Sequence, residues 1–593
     1  MIKENLQIIK NQLIEKNIGA YIVPTNDYHA SEYVSSYFKE RVFLSNFTGS
    51  QGTLVIAKKE AYLFVDGRYF IQAEKEIKDT SIILMKMGEP NVPTIEELLK
   101  ELLHKDEYLA FNAKYVSINQ AKKYQDLVDR LGAKLLDLDL VKDLWVSRPP
   151  LPKEKLWILE NKYAGEDISS KLKRIREVIN DKNAHHFLLT VLDDIAWTLN
   201  LRGNDIPCNP VFLSYLLIND NNASLYIDLD KITDEVKSYL NKNNVEVKDY
   251  NSINDDLNKI NESIMLDESK VNYSLYLSIK DHSLVINNEN PTLLMKAIKN
   301  DIEVANLKLA HIKDGVALTK FMMWIKANAG KIDLDEIKAQ DYLYELRSKQ
   351  DNYIEPSFNT ICAYKENAAM MHYSASKNSN AKIYKEGMLL VDSGGQYYEG
   401  TTDVTRTFVL GPISKEEKHH FTLALQSYLN LHNAIFLEGC KGLNLDILAR
   451  GPIWDELLDY KCGTGHGVSY LMNVHEGPNG FRWRIVPERN DSGTLVPNMI
   501  TTDEPGIYLE GKYGIRHENE LLCVDKGTSE FGHFLGFECI TLCPFDLDGI
   551  NVDELNKKQK DSLNAYHKTV YEKLSPYMND EERLILKEYT REI

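Results

Sequence analysis

Five side chains able to bind metal stand in the last third of the chain, each inside its own phrase: Asp392 in LLVDSGG, Asp403 in GTTDVTRTF, His466 in GTGHGV, Glu504 in TTDEPGIY and Glu518 in GIRHENEL. Four carboxylates and one imidazole suit two divalent cations of hard or borderline character. The oxygen anions can chelate or bridge, and their charge comes close to neutralising two dications. Two ions held this way can share a water between them. No cysteine is needed. Any one of these acids alone reads as a turn or cap residue; the joint pattern describes a dinuclear site.

The elements that must position these groups are partly visible. Asp392 follows the apolar run Met388, Leu389, Leu390, Val391, which reads as a buried strand. Asp403 comes eleven residues later, past the turn-prone Gly394, Gly395 and Gly400. On one continuous strand that odd separation would put the two side chains on opposite faces, but across a turn or bulge they can converge. Upstream, VANLKLAHIKDGVALTKFMMWIKANAG supplies a long helical pattern that opens this part of the chain.

Several phrases together resemble the pita-bread metallopeptidases, and within them the long, three-domain, cytosolic type of aminopeptidase P. These are VDSGGQYYEGTTDVTRT, GTGHGVSYLMNVHEGP, DEPGIY and GIRHENELL around the five residues, and AYIVPTNDYHASEY, FTGSQGTLVIA and VDGRYFIQA near the start. LDDIAWTLNLRGNDIPCNPVFLSY and the tail phrase FLGFECITLCPFDLDGI extend the likeness over nearly the whole chain. The resemblance implies α/β and α+β architecture: two creatinase-like α/β domains at 1–153 and 154–290, then a pita-bread catalytic domain at 291–593 with a C-terminal extension. In that domain helices pack over a curved antiparallel sheet.

The resemblance also implies roles. The residue matching Asp392 chelates one ion, those matching Asp403 and Glu518 bridge both, and those matching His466 and Glu504 complete the second. The ions are expected to be two divalent metals, with manganese favoured by oxygen-rich ligation and the absence of soft ligands. The implied activity is hydrolysis of the N-terminal Xaa-Pro bond of peptides by a hydroxide bridging the ions, with Glu504 as the proton shuttle. His372, in NAAMMHYSAS, matches the histidine that faces the scissile bond. His475, in NVHEGP, matches the one that hydrogen-bonds the substrate carbonyl. Tyr508 and Arg516 are candidates for the proline side, though Arg516, two residues from Glu518, could instead orient the ligand carboxylates. Arg68, in DGRYF, could reach the site from the first domain or form a plain ion pair.

The chain departs from the family where HGTGHGVG is usual and CGTGHGVS stands, with Cys462 and Ser469. A thiol is smaller than imidazole, uncharged at neutral pH and a weak donor, so Cys462 should make that edge of a proline pocket less polar. Trp197, Trp454 and Trp483 read as core or pocket-wall residues.

Composition agrees. The 593 residues allow roughly four domains at about 150 each. A net charge of −18 argues against nucleic acid or an anionic membrane as partner. Seven cysteines, an odd number with no CxxC pair, argue against a disulfide framework or zinc ribbon. The start lacks a signal-peptide core and no long uninterrupted apolar run suggests a membrane span, so a cytoplasmic protein is expected. The family further implies a homodimer through the catalytic domain. The cluster Arg148, Pro149, Pro150, Leu151, Pro152 marks one linker, and a second break falls near Asn290 and Pro291. Polar stretches such as NKNNVEVKDYN read as solvated loops. Three rivals stand beside the main reading: a prolidase, which cleaves only dipeptides and has a shorter two-domain layout; a creatinase-like hydrolase, which lacks most of the ligands; and a non-catalytic pita-bread module that binds peptides.

Overall fold

The computed structural model describes residues 2–377, 379–486 and 491–593. The chain divides into two compact units, Met1–Ile158 with Glu166–Thr292, and Leu159–Gly165 with Leu293–Ile593.

The first unit contains two six-stranded sheets. One is built from Ile18–Pro24, Thr53–Ala57, Ala61–Val65, Ile83–Lys86, Tyr108–Phe111 and Lys134–Asp137; the other from His186–Leu189, Ser214–Asn219, Ala223–Ile227, Val245–Asp249, Ile264–Leu266 and Val285–Asn287. With each set numbered in chain order, the spatial order is 4-3-2-1-5-6 in both, with the same mixture of parallel and antiparallel neighbours. The two halves therefore share a topology although no phrase repeats between them. In the first sheet, Tyr21 and Val23 enter one apolar cluster while Ala20 and Ile22 enter another, so the strand Ile18–Pro24 is buried on both faces by its period of two. The opening helix Ile2–Glu15 turns Leu6, Ile9 and Leu13 to the core, as its helical spacing requires.

Val245–Asp249 corrects the reading of NKNNVEVKDYN as loop. It is the parallel edge strand of the second sheet; Val245 is buried, and the polarity around it reflects an edge with one solvated side.

In the second unit, the helix Asp301–Asn328 begins with a capping box in which Asn300 and Glu303 satisfy each other's backbone donors. It packs with the helix Glu336–Ser348 against a three-stranded antiparallel sheet whose central strand is Met388–Ser393, flanked by Ile361–Tyr364 and Val404–Val409. A six-stranded antiparallel sheet runs in the order Ile435–Leu437, Gly532–Cys539, Asn519–Ser529, Ile500–Asp503, Gly465–Gly467, Glu476–Phe481. The helix Lys557–Leu574, the last but one of the described α-helices, turns Leu563, Val570 and Leu574 into the same core as Phe421, Leu425 and Leu429 of the helix Lys415–His432. Among the described residues no helix is long and apolar enough to cross a membrane.

Of the tryptophans, Trp197 is buried as expected, but Trp454 and Trp483 are 37% and 46% exposed, which corrects the core half of the expectation for them. Their rings meet edge to face, 6.0 Å apart.

Candidate metal centre

Asp392 occupies the fifth position of the fully buried strand Met388–Ser393 and lies in register with Thr405 of the neighbouring strand. The chain between the two aspartates folds aside into a small hairpin, Gly395–Tyr397 with Gly400–Thr401, so that Asp403 returns at the mouth of Val404–Val409. That detour resolves the odd spacing. Glu518 meets the same strand: its backbone N–H donates to the Thr405 carbonyl (3.2 Å), and its Oε2 accepts the Thr405 hydroxyl (2.6 Å).

His466 lies on the short strand Gly465–Gly467, squeezed between neighbours. A Cβ at Gly465 would stand 1.8 Å from the Thr502 carbonyl oxygen, and one at Gly467 would stand 2.3 Å from that of Glu476. Glycine on both sides is what lets the histidine reach this depth. Its Nδ1 is 2.9 Å from the Gly467 carbonyl, which can only accept, so Nδ1 carries the hydrogen and a neutral ring presents a lone pair at Nε2. That Nε2 faces Asp403 Oδ2 and Glu504 Oε1, each at 3.5 Å. Glu504 is fixed by its own N–H, which donates to the Thr464 carbonyl (2.8 Å), and by the Thr502 hydroxyl (3.3 Å).

The donor set fits divalent metal. Ligand atoms of Asp403, His466 and Glu518 lie within 4.8 Å of one another. Asp392 Oδ1 and Asp403 Oδ1 are buried with no hydrogen-bond partner, a costly state for an ionised oxygen unless a cation faces it. Burial, then the neighbouring carboxylates, pushes the Asp403 and Glu518 carboxyls well above the usual range, against the opposing pull of Arg516. One guanidinium among four carboxylates leaves an excess of negative charge that two dications would offset.

Arg516 contacts both groups that its two sequence readings named, the Asp392 carboxylate and Tyr508. Its Nη2 pairs with Asp392 Oδ2 (2.5 Å), Nε donates to Thr405 Oγ1 (3.1 Å) and Nη1 donates to the Tyr508 hydroxyl (2.7 Å). Tyr508 is thereby tied to the ligand set. Met371, whose carbonyl lies 3.5 Å from Arg516 Nη2, precedes the half-buried His372. His475 packs its ring edge to face on His466 at 4.2 Å. Cys462, Tyr508 and Met371 pack against one apolar cluster of Leu423, Ile453, Tyr460 and Ile507. Burial, followed by the charge of Glu504, pushes the Cys462 thiol up to about 11, so it stays protonated. Ser469 is buried and donates to the Asn473 carbonyl. Arg68 belongs to the first unit, where its guanidinium forks onto Asp66 at 2.9 and 2.7 Å, an ion pair that DGRYF supplies from within itself.

Sequence reasoning passed over several supporting residues that sit inside its own motifs: Thr405 beside Asp403, Thr502 before Glu504, and Glu520 after Glu518. Arg450 is another, fully buried in the helix Gly442–Asp455. It pairs with Asp446 (2.9 Å) and donates to the carbonyls of Tyr460 (2.8 Å) and Cys462 (3.1 Å), holding the loop that leads to His466.

Comparison with known proteins agrees with this geometry. Residues 305–525 match the metallopeptidase family M24 and 533–593 the C-terminal region of peptidase M24, while 6–144 and 147–303 match creatinase/prolidase N-terminal domains. Fold and site together define a metallopeptidase of the M24 class. Among relatives, probable Xaa-Pro aminopeptidases P of Colletotrichum graminicola and Botryotinia fuckeliana are each 37% identical, over 97% and 96% of this chain and 96% and 90% of their own. The chain belongs to the Xaa-Pro aminopeptidase P family. The crystal structure of an X-prolyl aminopeptidase from Caenorhabditis elegans, described as a cytosolic enzyme with a di-nuclear active site, superposes with a TM-score of 0.92 at 32% identity, covering 97% of this chain and 95% of that one. An Xaa-Pro dipeptidase from Bacillus anthracis shares the fold (TM-score 0.52, 23% identity), but covers 64% of this chain while matching 99% of its own.

Proposed function

We propose that this chain hydrolyses the N-terminal Xaa-Pro bond of peptides at a dinuclear metal centre held by Asp392, Asp403, His466, Glu504 and Glu518. The observation that carries the reading is the convergence of Asp403, His466 and Glu518 donor atoms beside unpartnered carboxylate oxygens. When bound, two divalent ions, manganese in this reading, would supply an activated water and polarise the scissile carbonyl. Glu504, 3.5 Å from His466 Nε2, takes a proton from the attacking water and passes it to the leaving proline nitrogen. His475, braced against His466, donates to the substrate carbonyl, and His372 faces the scissile bond.

An Xaa-Pro bond has no N–H and a fixed ring, so its pocket must be apolar and must not require a donor. The patch of Cys462, Tyr508 and Met371 meets that requirement, with the Tyr508 hydroxyl held aside by Arg516. Prolidase is less supported, because the dipeptidase chain above accounts for under two thirds of this one. A division into domains at 1–153, 154–290 and 291–593 belongs to the same reading, supported by the two matched sheets. A cytoplasmic location is supported by the worm relative's description. A homodimer through the catalytic unit is supported by the exposed apolar group of Trp454, Leu457, Trp483 and Ile485, and sedimentation of the purified chain reads it directly.

The test of the activity is cleavage of an Xaa-Pro-Xaa tripeptide against an Xaa-Pro dipeptide by wild type and Glu504→Gln. The tripeptide should lose its first residue, and the metal-loaded variant should turn over about 10²–10⁴-fold more slowly. Cleavage of the dipeptide alone would make the protein a prolidase, and wild-type turnover after exhaustive chelation would remove the metal from the mechanism.

A further inference from the structure

Asp403 presents a problem of support. It stands just before the first residue paired in the strand ladder, where Val404 aligns with Ser393, and its backbone N–H has no ladder carbonyl to meet. Its N–H donates instead to a side chain, Glu520 Oε1, at 2.7 Å. Glu520 lies two residues past Glu518, at the start of the strand Asn519–Ser529, and is completely buried. Its other oxygen, Oε2, stands 3.3 Å from His311 Nε2, an ion-pair separation without hydrogen-bond geometry. His311 is itself buried, on the inner face of the helix Asp301–Asn328.

A carboxylate this deep beside a cluster of other carboxylates carries a desolvation cost that its partners, here the Asp403 N–H and His311, must offset. We propose that Glu520, braced by His311, is a positioning residue for the metal centre. It fixes the main chain of Asp403 so that the carboxylate points between the two ions. The inference rests on the ligand assignment made above and extends it to a residue that touches neither metal nor substrate. It connects the helix Asp301–Asn328 to the bridging aspartate through one carboxylate, so a shift of the helix would be felt at the bridge. The competing role is a plain buried polar contact between helix and strand, which would contribute to stability alone.

Cobalt titration of the metal-free full-length chain separates the two, because Co²⁺ gives both an affinity and a visible spectrum that reports ligand geometry without turnover. Glu520→Ala should bind Co²⁺ about 10–100-fold more weakly, the range for losing a partner that orients a ligand, with an altered spectrum. Glu520→Gln keeps an oxygen for the Asp403 N–H and an amide group for His311, so it should recover the wild-type spectrum and an affinity within about threefold of wild type, well short of that loss. His311→Ala, which leaves Glu520 unbraced, should also weaken binding, and it serves as the test if Glu520→Ala does not fold. Wild-type affinity and spectrum in folded Glu520→Ala or His311→Ala, with only a lowered melting temperature, would overturn the proposal. Asp403→Asn is the control: if it binds Co²⁺ as wild type does, the ligand assignment itself fails, whereas loss in Asp403→Asn beside unchanged binding in Glu520→Ala rejects this inference alone.

Discussion

Replacing Thr405 by valine removes one oxygen from beneath the metal centre and changes little else. Valine has the same β-branched shape and suits the strand, so the ladder with Met388–Ser393 should survive. The residue is fully buried, and the second methyl of valine takes the place of the hydroxyl, leaving no room there for a water. That hydroxyl donates to Glu518 Oε2 at 2.6 Å and accepts from Arg516 Nε at 3.1 Å. A hydrogen bond to an ionised group is worth about 1.5–3 kcal/mol net. If Glu518 bridges the ions only in the orientation this bond enforces, the loss appears in metal binding, and that energy corresponds to about 10–150-fold in affinity. Independently, loss of a group that orients a metal ligand typically costs about 10–100-fold. The expected outcome is therefore a Kd for manganese raised by one to two orders of magnitude, read by isothermal titration calorimetry on metal-free protein. Thr405→Ser, which keeps the hydroxyl, should recover most of the affinity. A folded valine variant whose Kd lies within about threefold of wild type would refute the reasoning, since the threshold is well below the smallest value the bond allows.

Two further outcomes follow. Cys462→His restores the arrangement usual in the family and should change KM for one Xaa-Pro peptide more than it changes metal affinity, with Cys462→Ala as the size control; unchanged constants in both would take Cys462 out of the substrate site. His29 is buried and held neutral, its pKa pushed down to about 4 by desolvation against the partly opposing charge of Asp27, with Nδ1 on the Thr190 carbonyl (3.1 Å) and Nε2 on the Tyr250 hydroxyl (2.8 Å). The unfolded chain binds that proton near pH 6.5 and the folded chain does not, so stability is intact above about 6.5 and is lost as pH falls toward 4. At 1.36 kcal/mol per unit the full shift is about 3 kcal/mol. Hydrogen exchange in the first unit at pH 7.5, 5.5 and 4.5 should show the loss in wild type and a flatter dependence in His29→Gln, and equal slopes would contradict it.

The phrases of the proposed ligands were legible because each joins a candidate donor to a local reason for its position: an apolar run before Asp392, glycines around His466, a strand beginning just after Glu518. The separation of Asp392 and Asp403 pointed to a turn, but not to the side hairpin that forms it, since nothing in QYYEGT distinguishes a paired excursion from a plain turn. Arg516 carried two readings in sequence because a buried arginine can serve a pocket or a carboxylate equally well, and its contacts with Asp392 (2.5 Å) and Tyr508 (2.7 Å) are visible only in the structure. Glu520 and Thr405 lay inside quoted motifs and were missed because their partners are 117 and 113 residues away in sequence. The resemblance implied a common fold for the two N-terminal domains, and the matching sheet orders agree, although no phrase repeats between them because different apolar residues can satisfy the same burial pattern. Trp454 and Trp483 misled for the opposite reason: large aromatic rings suggest a core, but residue type alone does not say which side chains a fold leaves outside.

The central claim is that five side chains of this chain hold two ions as one centre. An anomalous difference map from crystals grown with manganese tests it without reference to activity. Two peaks about 3.5–4 Å apart are expected, both within ligand distance of Asp403 and Glu518, with Asp392 on one and His466 and Glu504 on the other. A single peak, or peaks away from these residues, would contradict the account.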